Sequence, residues 1–102
     1  MNEKQNPLML QLKELVTMLN KIRRTYASDR LKTIGELQHI IWDAPELQTE
    51  ELYFLQDLAG DLNFYEPEER DRDSSLGYYG ESRLLELTDA ALNTIEPLLA
   101  PR

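Results

Sequence analysis

The chain contains no cysteine, which excludes disulfides and thiolate metal ligands. It has one histidine, His39. Without a second histidine or a cysteine, the usual catalytic triads and zinc sites cannot be assembled. Glu36 and His39 form one Glu-x-x-His pair. A di-metal centre in a helical bundle needs two such pairs, and the second has no histidine. His39 is therefore expected on a helix surface or half-buried, in a structural role. The four glycines, Gly35, Gly60, Gly77 and Gly80, compose no phosphate-binding loop. No apolar run approaches the ~20 residues of a membrane span, and the start, MNEKQNPL, has no apolar core of signal-peptide type. The expectation is a cytosolic protein with no membrane partner, no cofactor and no enzymatic activity.

β-branched residues are scarce, and no segment alternates with a period of two. What recurs is leucine at helical spacing. Asn6-Pro7 reads as an N-cap followed by proline at the first helical position. Leu8, Leu12, Leu15, Val16, Leu19, Ile22 and Tyr26 then form one stripe, so a first helix is predicted from Pro7 to Arg24 or Tyr26. Ser28 is the cap expected for a second helix, along which Leu31, Ile34, Leu37, Ile41 and Trp42 follow. This helix should stop before Ala44-Pro45, because proline disfavours helical geometry in the preceding residue. Gly35 within it costs up to ~1 kcal/mol relative to alanine and suggests a close approach by another helix. A third helix is expected from Pro45, or from Glu50 with Thr49 as cap, to an end signal at Gly60, with Leu52, Leu55, Leu58 and Leu62 as its seam. The fourth should begin at Glu81 or Ser82 and present Leu84, Leu85, Leu87, Ala91, Leu92, Ile95, Leu98 and Leu99, with Pro97 near its last turn. Four amphipathic helices with mostly short links predict one all-α domain over residues 1–102, an antiparallel four-helix bundle.

Charge is unevenly spread. Residues 1–42 carry seven basic and four acidic side chains, a net of +3; residues 43–102 carry fifteen acids and four arginines, a net of −11. An acidic half of this kind repels nucleic-acid phosphates and attracts basic surfaces. The basic cluster Lys21, Arg23 and Arg24 closes the first helix, where the helix dipole accounts for it.

The acid is concentrated in a roughly twenty-residue loop, Asp61 to Gly80, between the third and fourth helices. Residues 64–81, FYEPEERDRDSSLGYYGE, hold Glu66, Glu68, Glu69, Asp71, Asp73 and Glu81, with Tyr65 at one end and Tyr78 and Tyr79 at the other. Counted from Asp71, an EF-hand would need glycine sixth and glutamate twelfth; Leu76 and Ser82 stand there, so no calcium site results. Loops longer than ~12–15 residues are uncommon in compact domains and usually functional or disordered. Solvation alone would account for the acids, and packing under the loop would account for Tyr65 and Tyr79. The functional alternative is a binding surface. Tyrosine combines a rigid ring with a hydroxyl and anchors interfaces well. Acids around such anchors speed association with a basic partner.

At these residues the sequence resembles the immunity proteins of colicin-type bacterial toxins, and most closely the self-protective colicin D-like immunity family. The likeness is carried by an Asp-Leu-x-x-Tyr-x-Pro run, Asp61-Leu62-Asn63-Phe64-Tyr65-Glu66-Pro67, and by the acidic stretch after it. Tyr79-Gly80-Glu81 and a last helix opening Leu84-Leu85 complete it. It covers roughly the C-terminal half. The pair Tyr78-Tyr79 also resembles the paired tyrosines of the DNase-colicin immunity proteins. The chain departs from that group in Gly80, where proline is usual there, and in a third helix expected to be much longer.

The resemblance implies a protein that binds and neutralises a cognate basic nuclease toxin, with Tyr65, Glu66, Glu68, Glu69, Asp71, Asp73, Tyr78, Tyr79 and Glu81 contacting it. Nuclease surfaces carry lysines and arginines for phosphate, which carboxylates can engage. The alternative is a helical adaptor or regulatory module that binds another basic partner. Either protein would be a monomer or weak homodimer without nucleic-acid partners.

Overall fold

The computed structural model describes residues 7–72 and 74–99. They form four α-helices, α1 (Pro7–Arg24), α2 (Ala27–Asp43), α3 (Phe54–Asp61) and α4 (Glu81–Leu99), with short 3₁₀ turns between them. Among the described residues there is no β-strand, only one isolated bridge between Tyr65 and Tyr79.

Helix α1 buries Leu12, Leu15, Leu19 and Ile22, the stripe its spacing predicts. Pro7 opens it as expected; Asn6, the expected cap, lies outside the described residues. Each leucine buried this completely contributes ~2 kcal/mol of transfer free energy. The last turn carries Lys21, Arg23 and Arg24 at the negative end of the dipole. Arg23 also crosses to α4, where its Nη1 donates to the Leu85 carbonyl at 3.0 Å and the Thr88 hydroxyl at 3.3 Å.

Helix α2 begins two residues earlier than expected. Tyr26, in extended geometry, occupies the N-cap position without a side-chain cap bond, and Ser28 falls inside the first turn. Only Thr25 and Tyr26 lie between α1 and α2. Thr25 spends its hydroxyl on the α1 end, donating to the Lys21 carbonyl at 2.9 Å. The other end of α2 is as predicted: Ala44 leaves the helix at ψ 115° before Pro45. Gln48 then caps it from outside, its Nε2 donating to the Ile41 carbonyl at 2.7 Å.

The expected third helix is broken up. The segment forms 3₁₀ turns at Pro45–Leu47 and Glu50–Leu52, and only Phe54–Asp61 is α-helical. Gln48 and the extended Thr49 separate the two turns. The expectation of a long third helix is thus corrected to one of eight residues. Gly60 does not end it. The backbone stays right-handed through Leu62 into a 3₁₀ turn at Leu62–Phe64. Leu47, Leu52, Leu55, Leu58 and Leu62 are nevertheless all buried.

Helix α1 packs against both α2 and α4, and α3 lies against α2 and, less extensively, α4. Pro97 falls in the last turn of α4. Gly35 differs from its expectation: among the described residues, a Cβ placed there would meet nothing within 4 Å, so no described helix approaches it closely.

Candidate functional site

The segment after α3 is ordered by its own ends. The Tyr79 amide donates to the Phe64 carbonyl at 2.9 Å, and the Glu66 amide donates to the Tyr79 carbonyl at 2.8 Å, a short parallel bridge. Successive side chains of extended backbone point to opposite sides, and here they sort the four rings into two pairs. Phe64 and Tyr78 stack obliquely on one side, centroids 5.6 Å apart. Tyr65 and Tyr79 meet on the other at 6.2 Å. Phe64 is 41% exposed, whereas Tyr65 is 8% exposed and packs into the core. The bridge therefore corrects one sequence expectation. Tyr65 is an internal prop, because its ring is taken from solvent by the core. Phe64, not singled out before, shares the outward side with Tyr78.

Tyr79 is half-buried and donates its hydroxyl to the Asp61 carbonyl at 2.7 Å. Burial, helped by the nearby negative charge of Asp61, pushes its pKa up to about 12. Tyr65 and Tyr79 thus pin both ends of the segment to the helices, the packing role considered for them at the outset.

The seat beneath them is Arg30, a residue the sequence reading counted only as charge. It is 1% exposed. Its Nε donates to the Ile22 carbonyl at the end of α1 at 2.8 Å, and Nη1 to the Tyr65 hydroxyl at 3.1 Å. Nη1 and Nη2 also grip the two carboxylate oxygens of Glu81, the latter at 3.3 Å. The guanidinium carbon lies 5.8 Å from the ring centres of both Tyr26 and Tyr65. Burial works to lower the Arg30 pKa, but the hydrogen bonds to Glu81 and Tyr65 outweigh it and leave it raised. A signal for this role was present. Arg30 begins the spacing Arg30, Ile34, Leu37, Ile41, the buried stripe of α2.

Glu81 consequently does two things. It opens α4, where a carboxylate suits the helix dipole, and it neutralises Arg30 from a side chain still 51% exposed. Arg72 is likewise turned inward. Its Nε donates to the Glu66 carbonyl at 2.7 Å and Nη2 to the Pro67 carbonyl at 3.0 Å. The guanidinium lies flat over Gly80, where a Cβ would fall 2.4 Å from its central carbon. Glycine at this position is what lets the arginine close over the segment.

Of the other predicted acids, Glu66 is half-buried and its carboxylate accepts the Glu68 amide at 3.2 Å. Glu68 and Asp71 are exposed and join no ion pair among the described residues. Arg70, exposed beside them, is a cation in the same turn. Glu69 is described only in its backbone, within the 3₁₀ turn Glu69–Asp71, and Asp73 lies outside the described residues. Leu76 is 62% exposed and precedes Gly77, whose φ of 88° makes the turn back toward Phe64.

Elsewhere, His39 is exposed and pairs with Asp43 one turn on, at 3.0 Å. No group of three histidine, cysteine, aspartate or glutamate side chains among the described residues is placed to hold a metal ion. No described helix is long and apolar enough to cross a membrane. No protein-family model, curated protein or solved structure matches the chain.

Proposed function

We propose that this chain binds a basic protein partner through residues 64–81, with the helices as an antiparallel four-helix scaffold and the loop as an acidic surface. The observation that carries this reading is the division of labour in the loop. Arg30 and Arg72 spend their charge on internal contacts, Tyr65 and Tyr79 face inward, and Glu68, Asp71, Phe64, Tyr78 and Leu76 are left toward solvent to differing degrees. Apolar anchors beside unneutralised carboxylates suit a partner with lysines and arginines around an apolar depression.

The resemblance noted in the sequence makes that partner a cognate nuclease-type toxin, which the chain neutralises. The eight-residue α3 supports this reading by removing the length difference from the DNase-colicin group. Carboxylates on a nuclease's phosphate-binding surface would block its substrate, and electrostatic attraction gives the fast association that a protective inhibitor needs.

Co-expression with the product of the adjacent gene tests the proposal. The expected result is a toxic nuclease whose killing is relieved and which co-purifies with this chain. A non-toxic basic partner that co-purifies would point to an adaptor instead. A toxic neighbour that kills undiminished and purifies alone would sink the immunity reading.

A further inference from the structure

Glycine in a helix interior weakens the helix unless something needs the space its missing side chain leaves. Gly35 lies in the middle of α2, is exposed, and has open space around the position of its absent Cβ. Nothing among the described residues uses it. The same side of α2 exposes two large apolar residues, Leu31 at 44% and Trp42 at 53%. At 3.6 residues per turn, Leu31, Gly35 and Trp42 fall within about 40° of one another around the helix. They form a short stripe with a notch in it, apolar except for the half-buried Gln38, whose amide turns aside to the Ala59 carbonyl and Asn63.

Lys32 and Glu36, one turn apart, flank this stripe on its other side, where the open groove between α1 and α2 begins. Neither joins an ion pair among the described residues. We propose that this face of α2 receives a second copy of the chain, the two α2 helices crossing antiparallel with Gly35 against Gly35. A two-fold axis brings like patches together. The flank bearing Leu31 and Trp42 meets the same flank of the other copy. Lys32 of one copy comes opposite Glu36 of its partner, and the reverse pair forms on the far side of the axis. The face is thus complementary to itself in charge as well as shape. A single helix crossing buries less than stable dimer interfaces do, so the association is weak and visible at high concentration.

Trp42 is the only tryptophan, so its emission reports directly on this contact. Sedimentation velocity from about 10 to about 500 µM, the range suited to a small interface, should show a monomer–dimer equilibrium. Trp42 emission should shift to the blue over the same range. Gly35→Arg should remain monomeric at every concentration, with a melting temperature equal to or above wild type because arginine favours helix over glycine. Lys32→Glu should abolish association by setting glutamate against glutamate, and Lys32→Glu with Glu36→Lys should restore it. The proposal is overturned by a wild-type chain that is monomeric throughout with constant Trp42 emission. It is equally overturned by a Gly35→Arg variant that dimerises like wild type, or by a double charge reversal that stays dissociated.

Discussion

Arg30 and Glu81, 51 positions apart, form the ion pair that joins α2 to the first turn of α4. The pair is asymmetric: the guanidinium is 1% exposed and the carboxylate 51%. One partner is committed to the interior and the other is held at its edge. The guanidinium also serves the Ile22 carbonyl and the Tyr65 hydroxyl, whereas Glu81 serves Arg30 alone from the protein's edge, so the two residues should respond differently to substitution.

Arg30→Met preserves bulk but leaves the Ile22 carbonyl and the Tyr65 hydroxyl without their donor. It should cost about 2–4 kcal/mol. Glu81→Gln retains an amide oxygen for Arg30 and has water nearby, so it should cost about 1 kcal/mol. Urea denaturation of both variants measures the difference. Equal losses would mean that the seat depends on the pair as a unit rather than on the buried arginine.

Tyr79 predicts a stability loss at alkaline pH. Its pKa is raised to about 12 from an ordinary value of 10.0. Below pH 10 the phenol is protonated in both folded and unfolded chains, and its contribution is fully present. Above 10 the unfolded chain ionises first, and the contribution is lost as pH rises toward 12, by about 1 kcal/mol for this half-exposed, solvent-screened ring. Tyr79→Phe should lose about 1 kcal/mol at neutral pH with its bond to Asp61, and should then show a shallower decline between pH 10 and 12. Parallel declines for wild type and variant would remove Tyr79 as the cause.

Gly80 and Arg72 should be coupled. In Gly80→Ala the new Cβ displaces the guanidinium from the carbonyls of Glu66 and Pro67. The expected cost is about 1–2 kcal/mol. In an Arg72→Ala background the same glycine change should be nearly neutral, because the obstruction is gone. A double-mutant cycle reads this directly. Additive losses would show that Gly80 serves another need.

The inward and outward rings should separate in binding. With a cognate partner in hand, Phe64→Ala or Tyr78→Ala should each weaken binding by about 2 kcal/mol if these rings are the anchors. Neither should lower stability much, since Phe64 is 41% exposed. Tyr65→Ala should instead destabilise the fold by about 3 kcal/mol through the cavity and the lost bond to Arg30. Lysine at Glu66, Glu68 and Asp71 together should slow association at least about tenfold, an effect that high salt diminishes. Wild-type association rates in that triple variant would place the binding surface elsewhere.

The helices were legible because their signals are local. The stripe from Leu8 to Ile22 and the stop at Ala44-Pro45 depend on spacing and on backbone sterics. The third helix was misjudged because its first half settles into two 3₁₀ turns, and Gln48 between them looks like any helix-compatible residue until its amide is seen to cap α2. Arg30 could have been noticed from its place in the α2 stripe, but its partners lie as far along the chain as Tyr65 and Glu81. The loop acids were visible as a run of charge. Which rings turn outward beside them was not.

The amino-acid sequence by itself determined the helical class, the positions of α1, α2 and α4, the concentration of acid after α3, and the absence of cysteine chemistry. These follow from composition and from periodicities only a few residues long. Tertiary structure alone decided that Tyr65 and Tyr79 face the helices while Phe64 and Tyr78 face away, because a two-bond bridge between distant segments sets the side-chain alternation. It also decided that Arg30 and Arg72 are internal fasteners rather than surface charge. An arginine's role depends on which carbonyls and carboxylates the fold brings within about 3 Å of it, and the linear chain does not state that distance.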